Sequence, residues 1–194
     1  MRITYPVAHI LGTIAESKAS DLSVPMAIAL VDGEGGLLFF GSMDGALPAS
    51  TEIAVSKAFT SAVLRMATHE LGKLAQPGGE LYGIEHTHNG RIVLFGGGFP
   101  LQLNGEVAGA IGISGGSVNE DVQVAEHVVN TLEEMEYWSK RIEMFLPQQP
   151  LKNIRISQLE NSLKEVFGQM NCALSTDTPS FLAGTILLAA SVRQ

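Results

Sequence analysis

The chain has 194 residues, of which 45% are hydrophobic and 16% charged, and its formal net charge is −8 at pH 7. That length holds one domain with a core of its own plus an extension. The acidic balance, with no basic cluster to offset it, excludes nucleic acid as a main partner, because neutralising phosphates requires Lys and Arg.

The single cysteine, Cys172, has no internal disulfide partner and fits a reducing compartment. The N-terminus shows no basic stretch followed by an apolar one, so a cytoplasmic location is expected. The longest apolar run, 181–192, is interrupted by Gly184 and Thr185. It falls short of the roughly 20 residues a membrane span needs.

Pro6, followed by Val7, Ile10, Leu11 and Ile14, spells an amphipathic first helix with His9, Thr13, Glu16 and Ser17 on its other face. Residues 25–31 (PMAIALV) read as a strand buried on both faces. A glycine-rich turn at 32–36 leads to a returning strand at 37–41. Ser50 is placed to cap a second helix, with Glu52 in its first turn. Its apolar stripe reads Val55, Phe59, Ala62, Val63 and Met66, which leaves Lys57 on the polar, solvated side. His69 is expected near a helix end, and His127 on a polar helix face.

Two Asn-Gly pairs, Asn89-Gly90 and Asn104-Gly105, favour tight hairpin turns. They predict a meander of strands near 83–88, 91–96, 100–103 and 106–113. In the last of these, Ala108, Ala110 and Gly112 share a face, and side chains that small let a helix pack closely. Ser117 or Asn119 then caps a long helix striped with Ala125, Val128, Leu132, Met135, Ile142 and Phe145. The domain is expected over 1–146. Beyond the linker 147–150, the segment 151–194 is an apolar extension, with a helix expected over 154–170.

The stretch 96–121 (GGGFPLQLNGEVAGAIGISGGSVNED) joins two glycine-rich corners through a hairpin. Such corners either let backbone N–H groups reach a ligand or simply turn tightly and pack closely. The second corner opens a helix, yet Glu120 and Asp121 already occupy the first turn where an anion would sit. His86 and His88, two apart on the strand expected at 83–88, would share a face toward one metal or haem iron. No third ligand is evident nearby, so the pair does not complete a zinc site. No nucleophile elbow, P-loop or dinucleotide fingerprint is present.

Four segments in order carry a resemblance: 25–36 (PMAIALVDGEGG), 43–46 (MDGA), 53–61 (IAVSKAFTS) and the corner stretch 96–121. Across about residues 5–135 the chain resembles the GlcG/HbpS-like family, which also supplies the C-terminal domain of PduO-type corrinoid adenosyltransferases. The resemblance implies an α+β, profilin-like fold, an antiparallel sheet of about five strands flanked by helices, assembled into dimers or larger oligomers. It implies a small-ligand-binding protein, with haem or another tetrapyrrole as the cofactor some relatives take. The candidate ligand-binding set is Lys57, Gly96, Gly97, Gly98, Pro100, Ser114, Gly115, Gly116 and Asp121, with His86 and His88 as candidate metal ligands. Two further readings stay open. One is an enzyme acting on a small hydroxy acid or aldehyde, with Lys57 and Asp121 as acid and base. The other is an accessory protein of diol, glycerol or glycolate metabolism whose extension docks onto a partner.

Overall fold

The computed structural model describes residues 2–143 and 183–188, with the side chains of 141–143 excepted. The chain forms two compact units, Met1–Glu133 and Glu134–Gln194. The first contains α1 (Tyr5–Asp21), β1 (Ala27–Asp32), β2 (Leu37–Ser42), α2 (Ser50–Leu64), α3 (Thr68–Leu74), β3 (Gly98–Leu103), β4 (Glu106–Ser114) and the start of α4 (Val118–Glu143). In the second, residues 183–188 form a short helix within the apolar run expected from the sequence, and the helix expected at 154–170 lies outside the described residues.

One antiparallel sheet of order β2-β1-β4-β3 organises the first unit. The mixed α/β class is as expected, with four strands rather than about five. β1 is buried from Ala27 to Val31 because α1 lies on one of its faces and α2 on the other. Asp32 fixes the β1–β2 turn, its Oδ1 accepting from the backbone N–H of Glu34 (3.0 Å) and Gly36 (2.8 Å). The Asn104-Gly105 pair turns β3 into β4 with both residues at positive φ, as two-residue hairpins require.

The small-residue face of β4 does what its side chains allow. Ala110 packs in one layer with Ala27, Ala29 and Val31 of β1 and with Ala54, Ala58 and Ala62 of α2. A Cβ at Gly112 would collide with the Ala54 carbonyl oxygen and lie 2.5 Å from the Ala58 nitrogen. The helix backbone therefore rests directly on the strand.

That contact corrects the stripe expected for α2. Its fully covered face is Ala54, Lys57, Ala58, Ser61 and Ala62, whereas Val55, Phe59, Val63 and Met66 are only half-buried. The large residues flank the contact because the sheet leaves room only for small ones. Ser50 is also not the cap: it is the first helical residue, and Ala49 precedes it without a side-chain bond. Ser117 does cap α4. Its Oγ accepts from the Glu120 N–H (3.3 Å), and the Glu120 carboxylate accepts from the Ser117 N–H (2.7 Å).

The strands expected at 83–88 and 91–96 are absent. Two 3-10 turns, Ile84–His86 and His88–Gly90, replace the first and follow it, and residues 91–96 have no regular structure. Asn89 and Gly90 do take the positive φ that their type favours. The chain leaving the turn then bonds to a helix instead of a neighbouring strand: Val93 N–H donates to the Thr60 hydroxyl of α2 at 3.0 Å.

Candidate functional site

Lys57 is the largest fully buried side chain of the described residues, a correction to its expected place on a solvated face. The spacing that buries Ala54, Ala58 and Ser61 carries Lys57 inward with them. Its Nζ donates to the Ile113 carbonyl at the end of β4 and to Asp121 Oδ2 at the start of α4, both at 2.7 Å. The Phe95 ring centroid lies 4.8 Å away, a cation–π distance. Asp121 is 3% exposed, and its Oδ1 accepts from the Gly116 N–H at 3.1 Å. Burial pulls the Lys57 ammonium below its usual range, while the Asp121 carboxylate beside it opposes that shift. Burial likewise pushes Asp121 up, against Lys57 and the N–H groups of Gly116 and Gly115.

The two glycine corners meet at this pair. Gly97, at φ +111°, would place a Cβ 2.7 Å from Lys57 Nζ and 2.9 Å from Asp121 Cβ, so only glycine fits there. Ile113 N–H donates to the Gly97 carbonyl (2.8 Å), and Gly98 N–H to the Thr68 hydroxyl (3.0 Å). The open sides of Gly96, Gly98, Gly115 and Gly116 likewise face protein atoms: Val122, Thr68, the Pro25 carbonyl and Glu120. Ser114 is buried at the β4 end opposite Ala27. What the geometry shows for these residues is close packing around a buried ion pair. As acid and base, Lys57 and Asp121 would need a route to solvent, and Lys57 is 0% exposed. Pro100 stands apart from the pair. It lines an open cleft of about 390 Å³ with His69, Glu70, Phe99, Glu126 and Glu133.

The histidines are distributed differently from the expectation. His86 and His88 lie in separate turns, so they share no strand face. The His86 side chain is 85% exposed, 3.9 Å from the Glu85 carboxylate. His88, at φ +51°, turns its ring edge toward Phe59 at 5.8 Å, beside an open cleft of about 570 Å³ along α2. His69 begins α3 rather than ending a helix, with its ring 5.4 Å from that of Phe99. Among the described residues, no group of three His, Cys, Asp or Glu could hold a metal ion.

With His86 and His88 apart, the next histidine to consider is His9, on the first helix near the sheet surface. It is exposed on α1, its ring 5.6 Å from Phe39 of β2 and 6.4 Å from Tyr5, both approached edge-on. Tyr5 beside this face is 61% exposed. The Phe39 ring lies flat on Gly12, where a Cβ would overlap it, so the aromatic side chain is held close to the helix axis. The signal for this face was present in the sequence, in the His9–Gly12 spacing on α1 and the two phenylalanines of β2. Only the packing of helix on strand joins them.

An antiparallel sheet with α1 and α2 on opposite faces, two glycine corners closed on a Lys–Asp pair and an aromatic-flanked histidine on the first helix define the class. The chain belongs to the family described as haem degrading protein HbpS-like, whose model matches residues 3–130. An uncharacterised 15.0 kDa protein from the dhaT-dhaS intergenic region of Citrobacter freundii is 41% identical over 133 residues, covering 69% of this chain and 94% of that protein. The corrinoid adenosyltransferase PduO of the same organism is 40% identical over 129 residues, 66% of this chain. The match spans only 38% of the length of PduO. A solved structure of a PduOC–haem complex superposes with a TM-score of 0.65 at 38% identity, covering 67% of this chain and 94% of that one. No helix among the described residues is long and apolar enough to cross a membrane.

Proposed function

We propose that this protein binds haem or a related tetrapyrrole on the face formed by α1 and β2, with His9 as the iron ligand and a second copy of the chain closing the site. The observation that carries this reading is the exposed His9 imidazole set between the rings of Phe39 and Tyr5. An imidazole nitrogen is a strong ligand for haem iron, and rings beside it offer the apolar surface a macrocycle needs. The residues present fit the group. His9 would hold the iron, while Tyr5 and Phe39 would shield the macrocycle. Bound haem would supply iron-centred redox and ligand chemistry. The family description and the haem complex of a relative support the same class of ligand. The face is open, whereas bound ligands usually have most of their surface covered. A partner copy is the economical second wall, which favours an oligomer.

Titration with haemin, followed by the Soret band, tests this. Wild type and the His86→Ala/His88→Ala double variant should both give the shifted band, and His9→Ala should not. Loss of the shift in the double variant with retention in His9→Ala would move the iron ligand to the turn after α3 and overturn the reading.

A further inference from the structure

On the α2 side of the sheet, away from α1, the cleft beside His88 carries a cation with no assigned role. The Arg91 guanidinium lies over the Phe59 ring at 4.0 Å from its centroid. Among the described residues no carboxylate comes within ion-pair distance of it. What sets Arg91 apart from the other surface cations is its seat on an aromatic ring at the wall of a cleft. Stacking on Phe59 orders the planar fork and leaves its N–H edge free, the arrangement that receives a carboxylate with two parallel bonds.

The cleft is built around that group. Val55 and Phe59 of α2 form an apolar wall, and Ser56 and Glu52 lie along the same helix face. His88 stands edge-on to the same Phe59 ring from the other side of the loop. The loop is anchored from below, since the Thr60 hydroxyl, which donates to the Ser56 carbonyl of its own helix (2.7 Å), accepts from the Val93 N–H (3.0 Å). With about 570 Å³ of space, the cleft suits a small organic molecule. Glu52 on its rim opposes a second negative charge on the ligand, so a monoanion fits better than a phosphate dianion.

We propose that this cleft binds a small monocarboxylate with an apolar body, its carboxylate held by Arg91 and its body laid against Phe59 and Val55. The site is separate from the α1–β2 face and does not depend on haem.

The test is an NMR titration of the full chain with benzoate, benzyl alcohol and inorganic phosphate as probes. Benzoate should shift the signals of Phe59, Asn89 and Arg91 saturably. Benzyl alcohol, of the same shape without charge, should bind at least about tenfold more weakly, because the charge-assisted bonds are lost. Arg91→Gln, at an exposed position and with an unchanged melting curve, should abolish the difference between the two probes. Arg91→Lys keeps the charge without the fork and should bind benzoate between wild type and Arg91→Gln. Equal binding of benzoate and benzyl alcohol, phosphate binding as tight as benzoate, unchanged benzoate binding in Arg91→Gln, or no saturable shift with benzoate would each overturn the proposal.

Discussion

Lys57 of α2 and Asp121 of α4 are sixty-four positions apart in sequence and form a 2.7 Å ion pair inside the protein, with side chains 0% and 4% exposed. Lys57 also holds the last turn of β4 through the Ile113 carbonyl, and Asp121 holds the second glycine corner through the Gly116 N–H. One pair thus ties a helix, a strand end, a corner and a helix start.

Removing one partner should be costly. Lys57→Met leaves the Asp121 carboxylate buried without its counter-ion, and Asp121→Asn leaves the ammonium without its own. Each should lower stability by about 3–5 kcal/mol, the range for breaking a buried pair. The double variant should cost clearly less than the sum, because neither charge is then stranded. Urea denaturation of the four proteins measures this, and additive effects would show that the pair is not coupled.

The neighbours Glu120 and Asp121 should respond to acid in opposite directions. Hydrogen bonds from the Ser117 N–H and hydroxyl hold Glu120 below its usual value of 4.5. Between 4.5 and that lowered value the unfolded chain binds more protons than the folded one. The stabilisation from Glu120 is therefore present above 4.5 and lost as pH falls through the folded value. Burial raises Asp121 above 3.8, so its contribution is largest in acid and declines as pH rises through the raised value. Stability measured against pH should show Glu120→Gln removing an acid-side loss. In Asp121→Asn, the decline on raising pH should be the part that vanishes.

The layer between α2 and β4 should not tolerate added volume. At Gly112 a Cβ meets the backbone of Ala54 and Ala58, which cannot rotate away as a side chain would. Gly112→Ala should cost on the order of 1–3 kcal/mol through overpacking, and Ala110→Leu a similar amount. Gly78→Ala serves as a comparison, since a Cβ there meets nothing within 4 Å and the cost is limited to the positive φ of +85°. Thermal melts in which Gly112→Ala is no worse than Gly78→Ala would contradict the packing described.

Sequence patterns carried the frame of this fold where side-chain period and backbone chemistry agreed. β1 was legible as a continuous apolar run, β4 as an alternation of small and branched residues, and the start of α4 as Ser117 followed three residues later by Glu120. Legibility failed where a distant group captured the local backbone. The Asn89-Gly90 turn has the expected dihedrals, but Thr60 takes the Val93 N–H that a strand at 91–96 would have needed for its ladder. Lys57 failed for a related reason. By type it belongs on the surface, and only the approach of Asp121 and the Ile113 carbonyl makes its burial tolerable. The aromatic setting of His9, on which the proposed haem face rests, was not legible because His9 and Phe39 are thirty positions apart and meet only through the packing of α1 on β2.

The α1–β2 face should also govern assembly. Tyr5 is 61% exposed beside His9, and an apolar side chain left in water at a proposed site is a natural core of a contact between copies. Sedimentation at micromolar concentration should show a dimer or larger species. Tyr5→Glu places charge in that contact, where it would be desolvated without a partner. The substituted protein should sediment as a monomer with an unchanged melting curve in dilute solution, and its haemin-induced Soret shift should weaken because the second wall is lost. An assembly unaffected by the substitution would place the contact on another face.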